Sequence, residues 1–196
     1  MDFGDLVLLF VGAALINNFI LSRFLGICAF LGVSNRLSTA LGMGAAVVFV
    51  MTISGTLSWA IQNYILEPFN LPFLQNLIFI LVIATLVQFL EMVIRRYSPA
   101  LYEAFGIYLP LITTNCAILG VALLVAGSDY GLLETVVFAI GSGIGWTLAI
   151  VLMAGLREEL EFADVPPSLQ GSALSLLIAA IMSLTFIGFS GVVPAL

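Results

Sequence analysis

The sequence predicts an all-α polytopic membrane protein: six transmembrane helices arranged as two inverted three-helix repeats, with the first and fourth helices broken. Three observations carry this reading. Of the 196 residues, 62% are hydrophobic and only 8% charged, whereas soluble domains carry roughly a quarter charged residues. Apolar stretches of spanning length recur along the chain. Two near-identical hexapeptides, Cys28–Val33 (CAFLGV) and Cys116–Val121 (CAILGV), hold both cysteines of the chain.

A span needs about 20 apolar residues, and six segments qualify: 5–33, 38–60, 72–94, 102–126, 132–155 and 170–192. The N-terminus has no basic region, only Asp2 and Asp5, so the first segment reads as a retained span and not a cleaved signal. As one helix it would be about 42 Å long, more than the roughly 30 Å hydrocarbon core. Ser22, Arg23 and Gly26 interrupt it, which predicts two half-helices joined by an unwound link, the second bearing Cys28. In the fourth segment Pro110, followed by Thr113-Thr114-Asn115, predicts the equivalent break just before Cys116. Backbone freed at such breaks needs internal partners, and Asn17, Asn18 and Asn115 are the amides at hand. Between spans lie Ser34-Asn35-Arg36, Glu67 to Pro72, Arg95 to Pro99, Gly127-Ser128-Asp129 and the polar stretch Arg157 to Pro167. The glycines of Gly141-Ser142-Gly143-Ile144-Gly145 fall inside span five and read as a close helix-packing surface.

Orientation follows from the arginines. Arg23, Arg36, Arg95, Arg96 and Arg157 all group with the connections after spans one, three and five, and there is no Lys. The positive-inside rule makes that side cytoplasmic and puts both termini outside. The net charge of −6 leaves no basic patch for nucleic acid.

The duplication extends past the cysteines. Pro72-Phe73-Leu74-Gln75 resembles Pro167-Ser168-Leu169-Gln170, and Pro99-Ala100-Leu101 matches Pro194-Ala195-Leu196, both at an offset of 95. Units of 1–101 and 102–196 with three spans each place the second unit upside down relative to the first. In such folds the functional site usually lies near the midplane, where broken helices meet.

With no His in the chain, any metal site must use Cys, carboxylate or backbone. Three readings compete for the cysteines: small buried apolar residues, a disulfide, which a midplane position disfavours, and metal ligation. Iron–sulfur clusters take four protein ligands as a rule, so two chains giving two cysteines each would complete one. Glu91, four residues before Arg95, suits an i,i+4 pair at the interface; the other reading is a carboxylate on an ion pathway. Glu158, Glu159 and Glu161 read as a solvated loop face that contacts a cytoplasmic subunit.

The segments Val11 to Val33, Phe79 to Met92, Gly106 to Leu123, Arg157-Glu158 and Gly188 to Gly191 resemble the RnfA family, membrane subunits of the Rnf ion-translocating oxidoreductase complex. LPLITTNCAILGV (109–121) is the most specific of the matches, combining a Pro break, a polar link and a cysteine. The sister family NqrE, of the sodium-pumping NADH:quinone oxidoreductase, is echoed in residues 145–159. The resemblance implies a homologous partner of opposite topology, RnfE-like. It also implies a 2Fe-2S cluster shared between the two chains, with Cys28 and Cys116 as this chain's ligands. Gly26, Asn17, Asn18, Thr113, Thr114 and Asn115 would then line the cluster or form the broken-helix links. The cluster would relay electrons between cytoplasmic carriers (NADH, ferredoxin) and flavins held by other subunits (RnfB-, RnfC-, RnfD- and RnfG-like), coupled to movement of Na⁺ or H⁺. Nothing in this chain resembles a flavin or nucleotide site. A rival of another class is a self-contained inverted-repeat secondary transporter with incidental cysteines, which the scarcity of membrane carboxylates disfavours for proton coupling.

The arginine distribution yields a direct expectation. A reporter fused after Leu196 should be active as an external marker and silent as a cytoplasmic one; the reverse pattern would overturn the orientation.

Overall fold

Glycines and other small residues decide how the long apolar helices meet. In an apolar solvent, helix association relies on close van der Waals approach and not on hydrophobic burial. The computed structural model describes residues 3–69, 72–97, 109–163, 166 and 170–188. Their regular elements are helices, with no strand among the described residues. The repeat markers at 99–101, 167–169 and 194–196, the start of span four at 102–108 and the end of span six after 188 lie outside them.

In chain order, α1 (Phe3–Val11) loosens into a π turn at Gly12–Ile16 and then stops at Asn17. An irregular link leads to α2 (Ile27–Val33). α3 (Leu37–Ile61) continues through a π turn at Gln62–Leu66 into the short turn Glu67–Phe69. α4 (Gln75–Tyr97) follows a 3₁₀ turn at Pro72–Leu74. α5 (Leu109–Thr113) breaks before α6 (Cys116–Ala126). α7 is Leu132–Leu160 and α8 is Ser172–Ile187. Three helical stretches, 37–66, 75–93 and 132–160, are long and apolar enough to cross a membrane, and shorter apolar helices occupy 4–16, 110–126 and 172–187.

α7 is the central element. It packs antiparallel to α3: Gly44 faces Thr147, Gly143 faces the Val48 backbone, and Gly55 faces Ala139. On its other side Gly141 meets Phe10 and Ala13, and a β-carbon on Gly145 would overlap the Ala14 carbonyl. The glycines of span five are therefore the packing surface expected of them, alternating between two neighbours. Around them the core closes with Trp146, Phe19, Phe30, Phe79, Met43 and Ile118, each almost wholly buried. Phe49, Ile80, Leu81 and Phe89 point outward and exposed, as a lipid-facing surface requires.

One boundary differs from expectation. The polar stretch from Arg157 reads as loop in the sequence, yet α7 runs on to Leu160. Two of its polar side chains find partners across the fold. Arg157 Nη1 donates to the Leu31 carbonyl at 3.0 Å and to the buried Ser34 hydroxyl at 2.8 Å, holding the end of α2. Glu158 Oε1 accepts the Leu37 amide at 2.8 Å, capping the start of α3. Glu158 is thus a structural clamp, while Glu159 and Glu161 keep to the surface.

Two glycine substitutions test this packing. Gly145→Ala should lower the stability of the detergent-purified protein by about 1–3 kcal/mol through overpacking, read from its thermal unfolding. Gly155→Ala, where nothing lies within 4 Å of an added β-carbon, should be neutral or stabilising by up to about 1 kcal/mol.

Candidate cysteine site between two interrupted helices

A helix that stops inside an apolar interior exposes unpaired amides and carbonyls. The first interruption covers residues 17–26, between the π turn and α2. Asn17 marks its start, its amide donating to the Gly12 carbonyl at 2.8 Å. Asn18 is fully buried and serves both directions. Its Oδ1 accepts the Ile20 and Leu21 amides at 3.1 and 3.3 Å. Its Nδ2 donates to the Ala14 carbonyl at 3.3 Å and to the Gly145 carbonyl on α7 at 2.7 Å. Ser183 of α8 donates to the Leu21 carbonyl at 2.5 Å. Within the link, the Ser22, Phe24 and Leu25 amides turn back to the Asn18, Ile20 and Phe19 carbonyls. Phe24 takes a left-handed conformation (φ 57°) and is exposed; a bulky residue there is uncommon and held by its surroundings.

The second interruption is shorter. Thr114 closes α5 with its amide and hydroxyl on the Pro110 carbonyl, at 3.1 and 2.9 Å. Asn115 is extended, almost wholly buried, and caps α6 by accepting the Ala117 amide on Oδ1 at 3.0 Å. Cys116 is then the first residue of α6, at the positively polarised end of an 11-residue helix.

The two interruptions meet. The Gly26 amide donates to Cys116 Sγ at 2.9 Å. Gly26 precedes α2 in a left-handed conformation, φ +85°. This places the start of the helix that bears Cys28 against the second cysteine. Both thiols are free; Cys28 is exposed and Cys116 half-buried. Among the described residues no group of three or more His, Cys, Asp or Glu is placed to hold a metal ion. The arrangement therefore fits half of a thiolate site: two sulfurs, one at the surface, beside a backbone donor.

Of the residues singled out from sequence, Gly26, Asn115 and Cys116 come together, Asn18 ties the first break to α7, and Asn17, Thr113 and Thr114 lie at the rims of the breaks. Glu91 does not join them: it is half-buried on α4, and none of the hydrogen bonds linking the interruptions involves it. Trp146 is the member of the site that sequence reasoning missed. It is fully buried on α7, its Nε1 has no hydrogen-bond acceptor among the described residues, and it lies where a β-carbon on Gly26 would come within 2.5 Å. The only hint in the sequence is its place directly after the glycine stripe.

The whole chain, and not only the cysteine segments, has known relatives. The family model described as "Rnf-Nqr subunit, membrane protein" matches residues 6–193. The A component of the ion-translocating oxidoreductase complex of Syntrophotalea carbinolica is 52% identical over 97% of this chain and 98% of its own length. The A component of the Na(+)-translocating ferredoxin:NAD(+) oxidoreductase complex of Acetobacterium woodii is 52% identical over 95% of this chain and 97% of its own. The A component of the ion-translocating oxidoreductase complex of Escherichia coli K12 is 52% identical over 96% and 98%.

Asn18 is the residue on which the first interruption depends. Asn18→Ala strands the Ile20 and Leu21 amides and removes the bridge to the Gly145 carbonyl, and should destabilise the purified protein by about 1–3 kcal/mol. Asn17→Ala should have a distinctly smaller effect in the same unfolding measurement.

Proposed function

Because this chain belongs to the Rnf-Nqr family of membrane-protein subunits, we propose that it is the RnfA component of an Rnf-type ion-translocating oxidoreductase, and that it carries half of a 2Fe-2S site inside the membrane. It works as one part of a multi-subunit enzyme and is not catalytic alone. The observation that carries the reading is the 2.9 Å contact between the Gly26 amide and Cys116 Sγ. Two segments 90 residues apart are folded so that the start of the helix bearing Cys28 meets Cys116. A chain with incidental cysteines has no need of that convergence, which weighs against the self-contained transporter.

Cys28 and Cys116 are the ligands in this reading. When bound, a 2Fe-2S cluster supplies one-electron transfer at a fixed depth in the membrane. The chain's own part is to hold two of the four ligand positions and to keep the half-buried Cys116 sulfur beside a backbone donor. The exposed Cys28 presents the open side of the site to a homologous partner of opposite topology, RnfE-like, which supplies the other two cysteines. Six spans in two inverted repeats, 1–101 and 102–196, account for both interruptions. Their antiparallel meeting supports this: Gly26 lies at Cys116, while Phe19 and Leu25 lie at Gly120. Electrons then enter and leave through the other Rnf-like subunits, coupled to transfer of Na⁺ or H⁺ across a bacterial cytoplasmic membrane, with both termini outside.

Iron content and EPR of the purified complex test this. Cys28→Ser and Cys116→Ser should each abolish the membrane cluster signal while flavins on other subunits remain. The chain expressed alone should hold almost no iron, and co-expression with its opposite-topology homologue should restore about two irons per heterodimer. A stable, stoichiometric cluster in the singly expressed chain would sink the shared-site reading.

A further inference from the structure

Trp146 is the largest of the fully buried side chains, and it lies under the link that touches Cys116. A β-carbon at Gly26 would sit 2.5 Å from Trp146 Nε1, 3.1 Å from Asn115 Oδ1 and 3.3 Å from Ala117 Cβ. Gly26 is therefore required twice: for its left-handed φ of +85° and for the space that the indole and the α6 N-cap leave it. Two N–H donors here, Trp146 Nε1 and Asn115 Nδ2, are buried and have no acceptor among the described residues. Uncommitted donors in a dry interior are unfavourable and rare. Both residues back Gly26, whose amide donates to Cys116 Sγ, and donors placed so would favour negative charge at that sulfur.

We propose that Gly26 and Trp146 are positioning residues for Cys116, and that together they raise the reduction potential of the group Cys116 ligates. This inference rests on the shared-cluster reading above. The Gly26 amide draws electron density from Sγ, which favours the more negative, reduced state; hydrogen bonds to cluster sulfurs act in that sense. The indole fixes the glycine so that this amide stays aimed at Sγ. Its own N–H dipole, not cancelled by an acceptor, adds to the same effect in a low-dielectric surrounding.

The test is a redox titration of the 2Fe-2S EPR signal in the assembled membrane complex, comparing wild type with Trp146→Phe and Gly26→Ala, with iron content measured alongside. Trp146→Phe keeps an aromatic ring in the core and removes the N–H. It should load the cluster fully and shift its midpoint to a more negative value, and Gly26→Ala should shift it further. An unshifted midpoint in a fully loaded Trp146→Phe complex overturns the proposal, whatever Gly26→Ala does. Pulsed EPR on wild type grown with ¹⁵N-glycine gives an independent readout. A peptide-nitrogen coupling that vanishes in Gly26→Ala supports the contact, and its absence from the wild type overturns it. Failure of the underlying reading looks different: the wild-type signal would then survive in Cys116→Ser.

Discussion

Backbone groups released inside an apolar interior must be satisfied by the protein itself, and the architecture around both interruptions follows from that constraint. Water cannot be relied upon there, and each unpaired buried amide or carbonyl is expensive. The first break is ten residues long (17–26) and draws partners from three other places in the fold. Asn18 reaches the Gly145 carbonyl of α7, Ser183 of α8 reaches the Leu21 carbonyl, and the Gly26 amide reaches Cys116. The second break is only two residues (114–115) and closes largely on itself through Thr114 and Asn115. The cysteine contact is thus part of the same satisfaction of freed backbone that makes the breaks tolerable.

That arrangement depends on α7 coming very close. Gly145 lets the end of the first half-helix approach until Ala14 lies against its backbone, and this is what brings the Gly145 carbonyl within reach of Asn18. The next residue of the same helix provides Trp146 beneath Gly26. Packing and site geometry are therefore set by one short run of residues, Gly141 to Trp146. In the other direction, Arg157 and Glu158 hold the turn between α2 and α3 from the end of α7. The helix bearing Cys28 is fixed at its start by the Gly26 contact and at its end by Arg157, which limits how far an exposed thiol can wander.

Of the two free thiols, Cys28 is exposed and Cys116 half-buried. The buried Trp146 and Asn115 back Gly26, the residue whose amide reaches Cys116, whereas Cys28 faces outward. In the shared-site reading we propose, the exposed side is the one a second chain covers.

Much was legible in the sequence by itself. Composition determined the membrane class. The excess length of the first segment, with Ser22, Arg23 and Gly26 inside it, determined that it would break. Pro110 and Thr113-Thr114-Asn115 did the same for the fourth, and the repeated hexapeptides marked the cysteines. These are local properties: hydropathy, helix geometry and turn chemistry act over a few residues and need no knowledge of distant neighbours. What tertiary structure alone decided is which distant groups repair each break. That Asn18 and not Asn17 is the buried bridge, that Gly26 faces Cys116 and that Trp146 lies under Gly26 depend on contacts between residues 90 to 127 apart. The extension of α7 to Leu160, where Arg157 and Glu158 find partners across the fold, has the same origin. Hydrogen-bond satisfaction over such separations is set by how closely helices approach, and that is a property of the packed whole.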